Sequence, residues 1–524
     1  MQTIPITIGI TGHRKLREND RAVLFDAVKK ELRALKARVP HSELRMLNCL
    51  AAGADQLCAE AAVALGIPLF AVLPFERADY EADFSEPERE RFSALLAKAE
   101  RVVVAPEIEP AYEKDRDYRY RQAGAYVCMH SHVLLALWTG EEGPATGCGT
   151  ADVVHRKLYD SYRPKEGLAL SGMHAVIRIA APKAGEEGEA GGVSFLGDAD
   201  GFCRTLSETD GFNALASASG GRAALLPEDR QDDPALSDME AVYCEADRLS
   251  MRFAKRYRRI LAWLAVCSTA VTAAFLLYDE AELHWMIAVC GGSLLLCFFL
   301  SRFARRSDCH RKYLDCRVLA EGIRVQAFLR YAGSETEVPL LMPWSQRSET
   351  PWICAALAAL NAGPNANAGR SVREDWIKGQ ADYHQRAGRK AEAKKRRSER
   401  IVKAALIVSV CFYLAALLFE PLFGGTFSVR PAIGNAETYR TVLKLILGGI
   451  SAATLFMSGC YGKLSLSRAA DDHRKMADFY RRIDERIARF GQSEALLAET
   501  ARIELVENGN WYSYQQDNSP DVSL

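Results

Sequence analysis

Short apolar runs alternate with amphipathic stretches through the first third of the chain. The run at 6–10 alternates apolar and polar residues and leads into an amphipathic stretch at 19–38, which predicts a strand followed by a helix. Residues 68–74 are continuously apolar, as is typical of a strand buried on both faces of a parallel sheet. Further strands are predicted at 44–50, 101–105, 133–138 and 175–180. Because strands and helices alternate, we expect an α/β fold with a doubly wound parallel sheet.

Four longer apolar segments follow in the second half of the chain. Each contains 16 to 18 residues and no charged side chain, and they lie at 260–277, 285–301, 404–419 and 445–462. These lengths approach the roughly 20 residues that cross a bilayer core, so we predict an all-α region of four transmembrane helices. Lysine and arginine cluster before the first and third segments and after the second and fourth. Both termini and the central segment are therefore expected in the cytoplasm.

These patterns divide the chain into parts of different character. A glycine-rich stretch at 185–192 and an acidic run at 228–233 suggest an irregular segment, with short structure expected around 193–206. The predicted parts are a nucleotide-binding domain at 1–185, an irregular linker at 186–240, a first transmembrane hairpin with its cytoplasmic helices at 241–335, a connector at 336–375, a second hairpin at 376–510 and a tail at 511–524.

Composition narrows the classes of function. The 524 residues carry 67 basic and 67 acidic side chains, a balance that gives no reason to expect direct binding of nucleic acid. The 14 cysteines are scattered without a metal-ligand spacing, so no metal or other cofactor is expected. The apolar segments contain no carboxylate, lysine or histidine, which argues against a proton pump or coupled transporter.

Three turns of small residues follow predicted strands, where open α/β sheets bind ligands. A glycine lets a phosphate approach the backbone, and a following helix start favours an anion. The expected ligand-binding residues are Thr11, Gly12, His13, Arg14, Ala52, Gly53, Asp55, Gly147, Gly149 and Thr150. For several of them a structural role is the alternative: Gly12 for the turn conformation, Asp55 as a helix cap, and His13 through a hydrogen-bonded ring.

Other polar and aromatic side chains are weaker candidates. His130 and His132 precede a predicted buried strand, and a role at a helix end is favoured over a metal or acid/base pair. Tyr80, Asp83 and Phe84 follow the strand at 68–74, and we favour a surface loop that packs its own aromatics over contact with a base.

The three turns together resemble the SLOG domain, a Rossmann-like superfamily of nucleotide-processing enzymes and nucleotide sensors. The motifs are Thr11-Gly12-His13-Arg14, 50–55 (Leu-Ala-Ala-Gly-Ala-Asp) and 145–150 (Ala-Thr-Gly-Cys-Gly-Thr). The enzymatic LOG-type members carry a glutamate after Gly-Thr, where this chain has Val153. The resemblance therefore implies a sensor with no catalytic residue, unless Asp152 replaces the glutamate in a membrane-anchored nucleotide phosphoribohydrolase. The ligand it implies is a nucleotide-derived second messenger of the cyclic nucleotide or ADP-ribose type.

The second half carries an internal repeat and a second resemblance. Asp-Cys-His-Arg-Lys at 308–312 recurs as Asp-Asp-His-Arg-Lys at 471–475, each after a predicted hairpin. Residues 376–384, which lead through a basic stretch into the third segment, resemble the SLATT class of two-helix membrane modules. This resemblance implies a homo-oligomeric antiviral effector in the bacterial inner membrane, which forms a pore or disrupts the bilayer. A metabolite-gated ion channel is the remaining alternative.

Overall fold

The computed structural model divides the chain into two units. The first comprises Met1–Leu249, Asp315–Val372 and Gln492–Ser513, and the second comprises Ser250–Leu314, Arg373–Gly491 and Tyr514–Leu524. The structure describes residues 3–109, 114–141, 147–159, 173–216, 225–227, 233–280, 283–365, 367, 369–423, 441–442, 444, 446, 448–449 and 466–517.

A seven-stranded sheet is the centre of the first unit. Its strands are β1 (Ile6–Gly12), β2 (Leu44–Asn48), β3 (Leu69–Leu73), β4 (Arg101–Val104), β5 (Val133–Leu137), β6 (Ala175–Ile179) and β7 (Val193–Gly197). The strand order is β4-β3-β2-β1-β5-β6-β7. All neighbours pair in parallel except β7, which runs antiparallel to β6 at the edge. The predicted parallel sheet is confirmed, and the strand order reverses direction between β1 and β5.

The helices connected to the sheet cover its buried strands. They are α1 (Arg21–Arg38), α2 (Ala54–Ala64), α3 (Arg77–Glu81), α4 (Glu86–Leu96), α5 (Arg116–His130), α6 (Thr150–Tyr159) and α7 (Ala199–Leu215). Strands β2, β3 and β5 are buried along their whole length, as expected for strands between two helical layers. Helix α1 forms because Leu24, Val28, Leu32 and Leu35 recur on one face, and all four are buried.

The segment predicted as an irregular linker contains regular structure. Within 186–240, β7 extends the sheet and α7 follows it directly. Asp198 begins this helix by accepting a hydrogen bond from the Gly201 amide at 2.9 Å. Residues 217–224 and 228–232 of the predicted linker, including most of its acidic run, lie outside the described residues.

Later parts of the chain complete the first unit. Further helices are α8 (Pro234–Glu280), α9 (Met286–Ser307), α10 (Cys309–Tyr331), α11 (Val338–Leu341), α12 (Trp344–Glu349), α13 (Pro351–Asn361), α14 (Gly379–Phe423), α15 (Leu466–Phe490) and α16 (Glu494–Asp517). The first unit includes the start of α8, most of α10 and α16, and all of α11 to α13. The segment predicted as a connector at 336–375 therefore lies mostly in the unit that contains the sheet.

One carboxylate holds the start of α8 against the sheet. Asp238 Oδ2 accepts hydrogen bonds from Arg45 on β2 at 3.0 Å and from Arg101 on β4 at 2.7 Å. All three side chains are buried. Arg45 also pairs with Glu43 at 3.0 Å, whereas Asp238 is the one carboxylate that pairs with Arg101 among the described residues. The site holds little water, so an unpaired charge there is costly.

The second unit is helical. The described residues contain two stretches long and apolar enough to cross a membrane, Pro234–Asp279 and Met286–Tyr331, and the first two predicted spans lie within them. The third predicted span lies in α14, whereas most of the fourth lies outside the described residues. The arrangement with four spans stays a prediction.

The two helices α14 and α15 pack on one another and bring the segment 376–384 close to the second copy of the repeat, 471–475. His384 Nδ1 lies 3.0 Å from His473 Nδ1, and the fully buried ring of Tyr480 stacks on His384. In the first copy of the repeat, His310 stacks on Tyr257 with ring centroids 4.5 Å apart. His310 thus makes an aromatic contact with α8, and His473 makes one with α14.

The Asp238 site predicts a large loss of stability on removal of the charge. Asp238→Asn should lower the free energy of unfolding by about 3–5 kcal/mol, because it leaves the buried guanidinium of Arg101 without its anion, whereas Arg45 keeps Glu43. Urea unfolding of the whole protein in detergent, followed by tryptophan fluorescence, measures the change. Glu499→Gln breaks the exposed pair with Arg502 and should change stability by no more than about 0.5 kcal/mol. Equal effects of the two substitutions would contradict this view of Asp238.

Candidate functional site

A cleft of about 430 Å³ opens at the carboxyl ends of β1, β2 and β5. This is the point at which the strand order reverses, the usual ligand position in open α/β sheets. The predicted residues that line it are Thr11, Gly12, His13, Arg14, Asp55, Gly149 and Thr150. Ala52, Gly53 and Gly147 are absent from its lining, although the neighbouring Ala51 and Cys148 are present.

The glycines shape the cleft through close packing. A Cβ on Gly12 would lie 2.4 Å from the Cβ of Ala54, so only glycine lets α2 approach the end of β1. Gly53 has a φ of +80°, and a Cβ there would lie 2.3 Å from the Arg14 carbonyl oxygen. Gly147 has a φ of +77° and packs against Arg121. Gly53 and Gly147 therefore pack closely against Arg14 and Arg121 and do not themselves line the cleft.

The start of α2 is already occupied by the protein's own acceptors. The Ala54 amide donates to the carbonyl of His13 at 3.1 Å. The Ala51 amide points to Asp55 Oδ2 at 3.4 Å. These bonds connect the turns after β1 and β2, and they leave recognition of an anion to side chains.

Arg14 is the cation of the cleft. Its guanidinium lies 4.7 Å from the centre of the Tyr120 ring, and the Tyr120 hydroxyl donates a hydrogen bond to Asp83. Asp83 in turn pairs with Arg116 at 2.6 Å. Arg14 itself is exposed and forms no ion pair with any carboxylate that the structure describes. The ring therefore orients a positive charge that is available to a ligand.

His13 makes the hydrogen bond through its ring that the sequence analysis gave as its structural alternative. Its Nε2 accepts a hydrogen bond from the Thr139 amide at 3.2 Å. Burial, reinforced by Lys183, lowers the pKa of His13 to about 4. The ring is thus neutral near pH 7, with the proton assigned to Nδ1, and joins the end of β1 to the end of β5.

Two buried polar groups lie at the inner end of the cleft. Burial raises the pKa of Asp55 to about 7, even though the Ala51 amide and Arg14 favour its ionised form. The Tyr80 side chain is 1% exposed, and its hydroxyl has no hydrogen-bond partner among the described residues. A buried hydroxyl without a partner is unfavourable, so it favours a ligand with a polar atom at that place.

Tyr80 belongs to an aromatic cluster, as expected, but not to a surface loop. It lies in α3 and its ring meets those of Phe75, Phe84, Phe92 and Tyr120, with centroids 4.9 to 6.3 Å apart. The prediction that these aromatics pack on one another is confirmed. The exposed position assigned to Tyr80 was wrong, because the helix turns its ring inward.

The first turn of α6 contains the position at which LOG-type enzymes carry their catalytic glutamate. Val153 lines the cleft and is 8% exposed within an apolar cluster, so an alkyl group occupies the position of the LOG-type glutamate. Asp152 also lines the cleft, and its Oδ2 accepts a hydrogen bond from the Gly149 amide at 3.0 Å. The carboxylate of Asp152 therefore stabilises the turn before α6.

The other two histidines are held within the fold. His132 is fully buried, its Nδ1 accepts from the Thr7 amide at 3.1 Å, and burial lowers its pKa to about 3. His130 is the last residue of α5, and its Nδ1 lies 2.7 Å from the Ala358 carbonyl oxygen. Among the described residues there is no group of three or more histidine, cysteine or acidic side chains that could hold a metal ion.

Several residues of the cleft escaped the sequence analysis. Tyr120 and Asp117 come from α5, and Lys183 follows β6, far along the chain from the three turns. A tyrosine and a lysine in amphipathic or loop sequence give no local signal of a site. Only the topology of the sheet brings them to the same edge.

Fold and cleft together define a Rossmann-like α/β protein with a cleft at the switch point, lined by both polar and apolar side chains, and long apolar helices elsewhere in the chain. No family model matches the sequence, and no curated protein matches it. The resemblance to SLOG and SLATT therefore rests on the motifs quoted above.

The buried Asp55 predicts a pH-dependent stability of known sign. Its folded pKa of about 7 exceeds the ordinary 3.8, so the folded state binds the additional proton and the free energy of unfolding falls as pH rises between these values. Asp55→Asn should remove this slope and make the protein more stable than wild type at pH 8. Unfolding free energies at pH 5 to 8 measure it. The exposed control Asp26→Asn should keep the wild-type slope, and a variant at Asp55 that kept it would refute the assignment.

Proposed function

We propose that the chain is a membrane effector whose cleft binds a nucleotide-derived second messenger. The observation that carries this proposal is the pair formed by Arg14, a cation oriented by Tyr120, and the buried, unpartnered hydroxyl of Tyr80. A phosphate satisfies the first group and a sugar or base oxygen satisfies the second. The cleft volume falls in the range of small-molecule sites.

Ligand binding acts on the membrane region only through a difference in affinity between two states of the protein. We propose that the bound messenger favours an association of protomers in which the four predicted transmembrane helices rearrange. The result is a pore or a disrupted bilayer in the bacterial inner membrane, used in antiviral defence. The two long apolar helices support a membrane location, and the resemblance to SLATT modules suggests the effector role.

A nucleotide phosphoribohydrolase is the second candidate, and one observation favours it. Asp55 has a pKa of about 7 inside the cleft, which is suitable for a general acid or base near neutral pH. Against it, Val153 replaces the glutamate and Asp152 is bonded to the Gly149 amide. Incubation with nucleoside monophosphates separates the two candidates. Release of free base that is lost in Asp55→Asn would establish the enzyme.

Binding measurements test the cleft directly. The full chain in detergent is titrated by calorimetry with ADP-ribose and a panel of cyclic nucleotides. Arg14→Ala should weaken binding of the active compound at least about tenfold, because a charge-assisted bond to phosphate is lost. Arg38→Ala, at an exposed arginine at the end of α1, should bind as wild type does. Equal affinity of wild type and Arg14→Ala, or no binding by any compound, would overturn the proposal.

Tyr80→Phe gives effects of opposite sign on stability and on binding. Removal of a buried hydroxyl without a partner should raise the free energy of unfolding by about 1 kcal/mol. The same substitution should weaken ligand binding several-fold, since the ligand loses its hydrogen bond. Thermal unfolding with and without nucleotide measures both effects. A variant that lost stability without ligand would show that the hydroxyl already has a partner.

Reconstitution into liposomes tests the effector role. Addition of the bound nucleotide should release an entrapped dye from liposomes that contain the protein and not from liposomes that contain Arg14→Ala. Stepwise single-channel currents with dye retained would instead support the metabolite-gated channel. Leakage that did not depend on nucleotide would contradict both.

A further inference from the structure

A second cavity of about 330 Å³ lies in the first unit, and its lining differs from that of the cleft. Four of its residues are glutamates: Glu107, Glu335, Glu337 and Glu494. The rest of its wall is largely apolar or small and includes Ile108, Met129 and Leu340. An apolar wall with several carboxylates is unusual, because water normally surrounds such charges.

Glu337 is the buried member of this group. Its side chain is 9% exposed. One carboxylate oxygen, Oε1, accepts from Asn361 Nδ2 at 2.7 Å and lies 3.4 Å from His130 Nε2. The other oxygen, Oε2, is buried and has no hydrogen-bond partner in the part of the chain that the structure describes. Burial raises the pKa of the Glu337 carboxyl, against the opposing effect of His130. A cationic donor from outside the chain at Oε2 would favour the ionised form.

The other carboxylates leave the cavity negative. Glu494 accepts from the hydroxyls of Ser334 at 2.6 Å and Thr336 at 3.2 Å, and these neutral donors do not cancel its charge. Glu335 is exposed and forms no ion pair among the described residues. The charge of Glu107 is balanced by Lys114 at 2.6 Å. Glu335 and Glu494 therefore have no cationic partner among the described residues, and a ligand with two positive groups could pair with two separate carboxylates.

The chemistry of the wall decides which cation fits. The described residues hold no set of three or more ligating side chains suited to a metal ion, and the cavity is much larger than a dehydrated ion. Methylene groups pack well on Ile108, Met129 and Leu340, while ammonium groups donate to carboxylates. A chain of methylenes between two ammonium groups matches both features.

We propose that this cavity binds an aliphatic diamine or polyamine, with one ammonium group donating to Oε2 of Glu337 and another to Glu335 or Glu494. The site is separate from the nucleotide cleft, and the proposal does not depend on the function assigned to that cleft. It adds a cationic metabolite to the ligands of the protein.

Calorimetric titration of the full chain in detergent with putrescine and with spermidine tests the site. Wild type should bind at least one of them, and Glu337→Gln should weaken binding about tenfold or more. Glu335→Gln, at an exposed position where folding is unaffected, should weaken it several-fold. Glu349→Gln removes the same charge from the exposed surface of α12 and should bind as wild type does.

Each other result overturns the proposal. Equal weakening in Glu335→Gln and Glu349→Gln would mean that the amine responds to net charge alone. Displacement of spermidine by equimolar Mg²⁺ or Ca²⁺ would assign the cavity to a metal ion. No measurable binding of putrescine or spermidine by wild type at low ionic strength would refute the proposed amine site. If Glu337→Gln fails to fold, Glu335→Gln and Glu494→Gln decide the outcome.

Discussion

The pairing of Asp238 with two buried arginines is the constraint on which the first unit depends. Arg45 belongs to β2 and Arg101 to β4, and both are buried where the sheet meets helices from later in the chain. Arg101 also donates to the Ala362 carbonyl, just after α13. One anion thus connects two strands, the start of α8 and the end of α13. Since the buried Arg101 pairs with no carboxylate other than Asp238 among the described residues, separation of the helices from the sheet carries a large free-energy cost.

Side chains of the cleft likewise share hydrogen-bond and ion-pair partners. Asp83 accepts from Tyr120 and Arg116, Tyr120 supports Arg14, and His13 joins the ends of two strands. Most polar groups in this region are satisfied within the fold and therefore rigid. Recognition would depend on the Arg14 guanidinium, which pairs with no carboxylate among the described residues, and on the Tyr80 hydroxyl, which has no hydrogen-bond partner there. Because the surrounding side chains are already ordered, ligand binding would cost little additional conformational entropy.

Sequence alone predicted the sheet well, because buried strands such as β3 are continuous apolar runs whose burial is visible locally. It predicted seven of the ten residues expected to bind ligand as lining residues of one cleft. Gly53 and Gly147 do not line the cleft: a positive φ serves a phosphate turn, but it also serves a turn that packs closely on other parts of the chain. The roles of Tyr80, Tyr120 and α13 depend on contacts between distant parts of the chain, which no local pattern contains.

The protonation of Asp55 has a consequence for how an anion would be captured. Its carboxyl is partly protonated near neutral pH and is coupled electrostatically to Arg14. An incoming phosphate that neutralises Arg14 withdraws this favourable field and raises the affinity of Asp55 for its proton. Capture of an anion would then draw a proton from the solution, and binding would strengthen as the pH falls. Binding heats measured in buffers of different ionisation enthalpy would report this uptake, and identical heats would exclude it. The affinity for an anion at Arg14 and the proton on Asp55 are linked in this way.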